Sequence, residues 1–203
     1  MRKGVYAIMK VGFLGYVEDI AECLKNMEST GIDGKVLCNE AAMELFIERS
    51  KAVRDSGGVF FFAGNGASAT MAEHMSHDCF QNADFLTMTC SETSHITAIS
   101  NDLSYEDVFA YRIGKALSGK DALITISSSG NSPNVVKAIE IARSKGMFIA
   151  TISGMKPDNK SRKRGDINFY VPAQTYGMVE SAHATLLHCW LDLFLDKHMG
   201  GRH

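Results

Sequence analysis

The stretch that decides the fold is Leu123-Ile-Thr-Ile126, followed at once by Ser127-Ser-Ser-Gly-Asn-Ser-Pro133. A short apolar run of this kind is typical of a strand buried on both faces of a parallel sheet. Pro133 suits the first position of a helix that Ser132 can cap, and Gly146 marks its end just after Lys145. The stretch therefore predicts a strand, a tight loop and a helix, in that order.

The same order recurs from residue 58 to the end of the chain. Further strands are predicted at Val59–Ala63, Phe85–Met88, Phe148–Ile152 and Ile167–Val171. Further helices are predicted at Ala69–Phe80, Tyr105–Leu117 and Val179–Asp196. Strands that alternate with helices indicate an α/β fold with an open, doubly wound parallel sheet. In such sheets ligands bind beyond the carboxyl ends of the strands.

Residues 15–56 predict two helices that precede the first strand. Apolar residues of the first helix recur at helical spacing: Val17, Ile20, Ala21, Leu24 and Met27. A turn at Gly31–Gly34 leads into a second apolar stripe. Two interpretations stay open, because such a pair can pack on its own sheet or against another subunit.

Composition indicates one domain, residues 1–203, and excludes several classes of protein. The chain is 45% hydrophobic and 22% charged, which is ordinary for a globular protein, and its net charge is −2. That balance argues against nucleic-acid and membrane-surface partners. The N-terminal residues lack the pattern of a signal peptide, and five scattered cysteines fit reduced thiols. We therefore expect a cytoplasmic protein.

Two strand-to-helix loops carry the candidate binding chemistry. The first, Gly64–Ser68, follows the Phe-rich strand and opens a helix, where free N–H groups attract an anion. The second, Ser127–Ser132, places four hydroxyl groups and a glycine at a helix N-terminus. It lacks the lysine of a Walker loop, which argues against hydrolysis of a nucleoside triphosphate. A neutral cradle of this size suits the single phosphate of a sugar phosphate.

With Thr97–Asp102 and the histidine-bearing last helix, these loops resemble SIS (sugar isomerase) domains, and within them the phosphoheptose isomerases. The resemblance implies a flavodoxin-like, three-layer αβα domain with a five-stranded parallel sheet in residues 57–197. It implies a homotetramer formed with the help of residues 15–56. It also implies isomerisation of sedoheptulose 7-phosphate to D-glycero-D-manno-heptose 7-phosphate through an enediol. The substrate-binding residues would be Asn65, Gly66, Ser68, Asn101, Asp102, Ser127, Ser128, Ser129, Ser132 and Glu180.

The same resemblance implies a site for zinc or another divalent metal. Its ligands would be His74, Asp78, Glu180 and His188, at positions that the family fills with His, Glu, Gln and His. Asp78 would be the catalytic base and His188 the catalytic acid. On one ideal helix Glu180 and His188 lie ~12 Å apart along the axis. Both can bind the same ion only if the helix begins late or if different subunits contribute them.

Two departures from the family pattern leave the exact sugar open. Asn82 stands where the family has an arginine, and Gly177 stands where it has an aspartate. Three alternatives therefore remain: action on another sugar phosphate, a non-catalytic SIS domain that binds a sugar phosphate or an initiator protein, and a phosphosugar lyase. The four ligand-type residues together argue against the non-catalytic alternative. His77, His95 and His183 are expected to have structural roles.

Overall fold

A computed structural model describes residues 12–116 and 119–201 of the chain. Seven α-helices lie in these residues: α1 Phe13–Lys25, α2 Asn39–Asp55, α3 Ala67–Ala83, α4 Thr93–Asp102, α5 Val108–Gly114, α6 Pro133–Ser144 and α7 Tyr176–His198. Seven strands form one sheet: β1 Glu28–Gly31, β2 Val36–Leu37, β3 Val59–Gly64, β4 Leu86–Thr89, β5 Ala122–Ser127, β6 Phe148–Gly154 and β7 Ile167–Val171. No helix in the described residues combines the length and apolar character needed to cross a membrane.

The parallel part of the sheet confirms the predicted α/β fold. Its five strands lie side by side in the order β4-β3-β5-β6-β7, and each neighbouring pair is parallel. Numbered along the chain, this is the 2-1-3-4-5 order of flavodoxin-like sheets. Every predicted strand is present with bounds within two residues of the prediction. Apolar runs predict these strands well because both faces of the sheet are buried.

Two short strands were missed, and the expectation that both N-terminal helices precede any strand is wrong. β1 and β2 form a hairpin around the predicted Gly31–Gly34 turn, and β1 adds antiparallel to β7 at the sheet edge. β1 has the polar sequence Glu-Ser-Thr-Gly, yet Ser29 and Thr30 are buried. The sheet therefore has seven strands rather than five. A four-residue polar segment carries no periodic signal, so only its pairing with β7 makes it a strand.

Two helical predictions also change. The segment predicted as one helix from Tyr105 begins as a 3₁₀ turn, Tyr105–Asp107, and continues as α5; its predicted end at Leu117 lies outside the described residues. No helix was predicted at Thr93–Asp102, which forms α4. The predicted start of α6 at Pro133 is confirmed, and Gly146 takes a positive φ of 71° just beyond its end.

Two apolar layers hold the helices on the sheet. On one face α2, α3 and α7 cover the strands, and Phe46 stacks on Trp190 with ring centroids 4.4 Å apart. On the other face α4, α5 and α6 pack on Phe61, Leu123 and Ile149. Because α3 and α6 follow the neighbouring strands β3 and β5 but lie on opposite faces, a crevice opens between the two loops that lead into them.

Candidate active site

The loop after β3 has a backbone that only glycine fits at two positions. A Cβ atom on Gly64 would lie 2.6 Å from the carbonyl oxygen of Ser68, so the turn closes tightly there. Gly66 has φ 58° and ψ −127°, a conformation that residues with a side chain avoid. Asn65 is partly buried, Gly66 is exposed and Ser68 is buried. The three predicted ligand-contacting residues of this loop therefore stand at the N-terminus of α3.

The loop after β5 forms the predicted hydroxyl-rich cradle. Ser127 Oγ accepts a hydrogen bond from the Gly130 amide at 3.1 Å, and Ser129 Oγ accepts one from the Asn131 amide at 3.2 Å. Ser127 and Ser128 are buried, whereas Ser129 and Ser132 are partly exposed. Ser132 holds the N-cap position of α6, but its side chain makes no capping hydrogen bond there. The Ser132 hydroxyl therefore does not use the first amides of α6, which an anion favours.

A third segment, after β6, braces this cradle. The Ser161 amide donates to the Gly130 carbonyl at 2.9 Å, and the Lys160 amide donates to Asn131 Oδ1 at 3.0 Å. Asn159 Oδ1 accepts hydrogen bonds from Ser161 Oγ and from the Arg162 amide. None of these residues was predicted to belong to the site, and Arg162 beside them is buried. A cue for this segment was present, because Asn and Ser cluster in a loop that follows a predicted parallel strand.

A pair of carboxamides joins the two loops across the crevice. Asn65 Nδ2 donates to Asn134 Oδ1 at 2.9 Å, and Asn134 Nδ2 donates back to Asn65 Oδ1 at 3.0 Å. The Tyr105 hydroxyl donates to the same Asn65 Oδ1 at 3.0 Å. Asn134 is 1% exposed, so its side chain belongs to the interior rather than to the open cleft. Asn134 was not among the predicted site residues.

The pair Asn101 and Asp102 lies exposed at the end of α4. Asn101 Nδ2 donates to Asp102 Oδ1 at 2.9 Å, which orients the carboxylate. The structure thus holds these two predicted substrate residues together, but on a separate helix from the loops.

Three of the four predicted metal ligands meet between α3 and α7. His74 Nε2 lies 3.2 Å from Asp78 Oδ2, and the rings of His74 and His188 are 5.2 Å apart between centroids. One ligand atom from each of the three residues lies within 4.8 Å of the other two. An i, i+4 pair on one helix facing an imidazole on another is a donor set that zinc accepts.

Glu180 is not part of this cluster within one chain. It lies in the second turn of α7, about 12 Å along the axis from His188. Because α7 begins at Tyr176, the late helix start that would bring the two together does not occur. Of the two arrangements that the sequence left open, contribution from different subunits is the remaining one.

The cluster also lies at a distance from the loops of its own chain. α3 begins at Ala67, so His74 and Asp78 lie about 10 and 16 Å further along its axis. The His74–Asp78–His188 cluster therefore lies two to three helical turns away from the loop that opens α3.

Packing accounts for one departure from the family pattern. A Cβ atom on Gly177 would lie 2.7 Å from the Tyr16 hydroxyl, because α1 packs against the start of α7 there. A side chain at this position would need the Tyr16 hydroxyl to move aside. Asn82, the other departure, lies near the end of α3 and is partly buried.

Two other histidines have the structural surroundings expected of them. His95 lies 2.7 Å from the Val108 carbonyl through Nε2. His183 is fully buried in α7, and neither of its ring nitrogens has a hydrogen-bond partner of normal geometry among the described residues. Burial lowers the pKa of His183 to about 4, and the backbone of Ser153 only partly offsets this shift.

We expect His183 to make the fold sensitive to acid. The unfolded chain binds a proton at His183 near its ordinary pKa of 6.5, whereas the folded chain resists protonation until about pH 4. Stability is therefore complete above pH 6.5 and is lost as the pH falls towards 4, by about 2 kcal/mol at pH 5. Urea unfolding at pH 7.5 and pH 5 measures this loss. His183→Leu should remove most of the difference, and an unchanged difference would contradict the assignment.

Comparison with known proteins gives consistent matches. The SIS domain family matches residues 15–154. The chain is 30% identical over 183 residues to phosphoheptose isomerase of Shewanella halifaxensis, an alignment that covers 84% of this chain and 92% of that protein. It is 32% identical over 174 residues to phosphoheptose isomerase of Photorhabdus laumondii, covering 81% and 89%. The structure of phosphoheptose isomerase GmhA from Neisseria gonorrhoeae matches with a TM-score of 0.75 at 24% identity, covering 90% of this chain and 94% of that one.

Proposed function

The chain belongs to the phosphoheptose isomerase family of SIS-domain proteins, and on that premise we propose that it is an enzyme that interconverts sedoheptulose 7-phosphate and D-glycero-D-manno-heptose 7-phosphate. The observation that carries the proposal is the His74–Asp78–His188 cluster in a chain that also has a hydroxyl-rich anion cradle. A binding module needs only the cradle, whereas moving a carbonyl between C1 and C2 needs a base and an acid.

The phosphate of the substrate is assigned to Ser127, Ser128, Ser129 and Ser132. Backbone amides at the start of α6 and these hydroxyls offer several donors to one anion, and the positive end of the helix dipole adds to the attraction. The sugar chain is assigned to Asn65, Gly66, Ser68, Asn101, Asp102 and Glu180. These side chains offer both donors and acceptors, which the hydroxyl groups of an open-chain sugar require.

Asp78 is the proposed base and His188 the proposed acid. Asp78 takes the proton from the carbon beside the carbonyl and returns it to the neighbouring carbon, so one carboxylate serves both halves of the reaction. His188 donates a proton to the carbonyl oxygen as the enediol forms and recovers a proton from the other oxygen. His74, 3.2 Å from Asp78 Oδ2, holds the carboxylate in place.

The same three side chains fit a divalent metal, for which zinc is the first candidate. Two imidazoles and one carboxylate are ligand types found in catalytic zinc sites. A bound ion there would stabilise negative charge on the oxygens of the enediolate. Glu180 from a neighbouring chain is the proposed fourth ligand.

We also propose that the active assembly is a homotetramer in the cytoplasm. His74 and Asp78 lie about 10 and 16 Å along α3 from the loop that opens this helix, which supports the idea that one chain supplies the loops and another the acid–base groups. The α1 surface supports the same idea, because Phe13, Leu14 and Val17 are exposed there. Apolar side chains grouped on one helix often mark an interface between subunits.

Disrupting this surface is expected to abolish activity. The wild type should scatter light as a tetramer, and the double variant Leu14→Asp/Val17→Asp should dissociate, because charges oppose burial at an apolar interface. Turnover should fall with the assembly. Ile32→Asp, an exposed apolar position in the turn between β1 and β2, is the matched control. A variant that is monomeric and fully active would contradict the shared site.

The substrate proposal is tested with a panel of phosphorylated aldoses and ketoses and with protein whose metal content has been measured. Sedoheptulose 7-phosphate should give the highest kcat/KM, with solvent deuterium entering at the carbon beside the carbonyl. Because Asn82 and Gly177 stand where the family has charged residues, the panel includes shorter ketose phosphates. Turnover of only a five- or six-carbon sugar phosphate would support the assignment as an isomerase and would overturn the assignment of a seven-carbon substrate.

Ser129→Ala is expected to weaken binding of the sugar phosphate by about 10- to 150-fold. The change removes one hydrogen bond to a charged group, which contributes ~1.5–3 kcal/mol. Isothermal titration calorimetry with the phosphorylated and unphosphorylated sugar measures the effect, and Ser144→Ala at the far end of α6 is the control. An unchanged affinity would place the phosphate elsewhere.

A further inference from the structure

One backbone N–H determines which atoms donate and which accept in the hydrogen bonds around Asn65. The Val135 amide donates to Asn134 Oδ1 at 2.9 Å. Because a backbone N–H can only donate, the atom of Asn134 that faces it must be the carbonyl oxygen. That oxygen also accepts from Asn65 Nδ2, so Asn134 Nδ2 is the atom that faces Asn65 Oδ1. The start of α6 thus determines how the carboxamide of Asn65 is oriented.

Counting donors and acceptors shows what Asn65 has left to offer. Its Oδ1 accepts from Asn134 Nδ2 and from the Tyr105 hydroxyl, which fills both lone pairs. Its Nδ2 uses one N–H on Asn134 Oδ1. The second N–H has no partner among residues 12–116 and 119–201. Asn65 is only partly buried and follows directly from β3, at the carboxyl ends of the strands where a ligand is expected.

We propose that Asn134 is a positioning residue that holds the carboxamide of Asn65 in one orientation, so that a single N–H is left to donate to an oxygen of the bound phosphosugar. Tyr105 is the second support of the same carboxamide. This inference rests on the proposed function, because it names which atom of Asn65 faces the sugar. A carboxamide free to rotate would present its oxygen half of the time, and a carbonyl or enediolate oxygen would be repelled.

The burial of Asn134 explains why this orientation is stable. Asn134 is only 1% exposed. If its carboxamide rotated, the Val135 amide would face an NH₂ group in the interior and would lose its acceptor. Tyr105, by contrast, is 54% exposed, and its hydroxyl can exchange its hydrogen bond with water. Asn134 is therefore expected to matter more than Tyr105.

The test is Asn134→Asp, which keeps the acceptor for the Val135 amide and removes the donor to Asn65 Oδ1. Burial of a carboxylate that faces Asn65 Oδ1 costs stability, and the positive end of the α6 dipole offsets this cost only in part, so the Tm should fall and turnover is measured well below it. We expect kcat to fall by about 10- to 100-fold. Tyr105→Phe should lower it less, and Tyr111→Phe, an exposed tyrosine on α5, should leave it unchanged.

A double-mutant cycle separates positioning from other effects. In the Asn65→Ala background, Asn134→Asp should cause no further loss of kcat, because the group that it positions is absent. Repulsion between the new carboxylate and the substrate phosphate would persist in that background and would raise KM. If the losses of kcat from the two single variants multiply in the double variant, the two residues act independently and the proposal is overturned.

An observation on the free protein decides the matter without turnover. In side-chain ¹⁵N spectra, one Nδ2 proton of Asn65 should exchange slowly with water in the wild type and fast in Asn134→Ala, which removes the acceptor of that proton. Equal exchange in the two proteins would overturn the proposal even if the enzyme is active. Wild-type protein that turns over no sugar phosphate would instead refute the proposed function, while the exchange rates would still judge the role of Asn134.

Discussion

Asp78→Asn is expected to lower isomerase turnover by about 10²- to 10⁴-fold, the range typical of general acid–base groups. The amide keeps the size of the side chain but cannot accept a proton from carbon. Asp78 lies 3.2 Å from His74 and is partly buried on α3, away from the serine-rich cradle. Binding of the sugar phosphate should therefore survive, so that kcat falls while the affinity stays within a few fold.

The measurement combines turnover with exchange at carbon. Wild-type enzyme should introduce solvent deuterium beside the carbonyl, and Asp78→Asn should introduce almost none. His188→Gln should also lose turnover, because it removes the group that exchanges protons with the oxygens. His77→Gln, a change of an exposed histidine on α3 that is not part of the cluster, is the control. Near-wild-type turnover by Asp78→Asn would exclude it as the base and make Glu180 the next candidate.

Gly130→Ala is expected to lower the affinity for the sugar phosphate by about 100-fold or more. Gly130 has φ 60°, and a Cβ atom there would collide with Asn159 Oδ1 and lie 2.8 Å from Ser161 Oγ. The left-handed conformation alone costs about 1–2 kcal/mol for a residue with a side chain. Relief of the collision would also break the bond from the Ser161 amide to the Gly130 carbonyl and displace the cradle.

A second glycine supplies the matched control for this prediction. Gly146 also has a positive φ, 71°, but a Cβ atom there would meet nothing within 4 Å. Gly146→Ala should lower stability by roughly 1–2 kcal/mol and leave the affinity unchanged. Calorimetric titration of both variants measures the affinity for the sugar phosphate, and thermal unfolding measures stability. Together they separate the backbone strain, which both variants share, from the collision, which only Gly130→Ala causes. Equal affinities for the two variants would show that the Asn159 segment does not shape the cradle.

The candidate site was predictable where its signal is local. The serine-rich loop, the glycines of the β3 loop and the boundaries of α6 follow from residues within about ten positions of one another. The sequence did not predict the roles of Asn159, Ser161 and Asn134, because their hydrogen-bond partners lie on other loops. Asn65 and Asn134, for example, are joined over 69 residues of chain. The contact between these two carboxamides depends on the register of β3 against β5, and no short sequence motif predicts that register.

The His74–Asp78–His188 cluster shows the same limit. The spacing of His74 and Asp78 predicts that they share one helix face, and the structure confirms it with a 3.2 Å contact. That His188 joins them depends on how α7 packs against α3, and that Glu180 stays apart depends on where α7 begins. The membership of Asp78, His188 and Glu180 in one catalytic site remains a prediction.

The sequence by itself determined the parallel α/β fold, the strands β3 to β7 and the two loops at their carboxyl ends. These features come from apolar runs and from glycine, serine and proline at turns, whose preferences act over a few residues. Only the tertiary structure decided that Glu28–Gly31 is a strand, that Asn159 packs against Gly130, and that His188 joins His74 and Asp78. The physical reason is that a polar segment gains its hydrogen bonds from whichever part of the chain folds beside it. β1 finds those partners on β7, well over a hundred residues away.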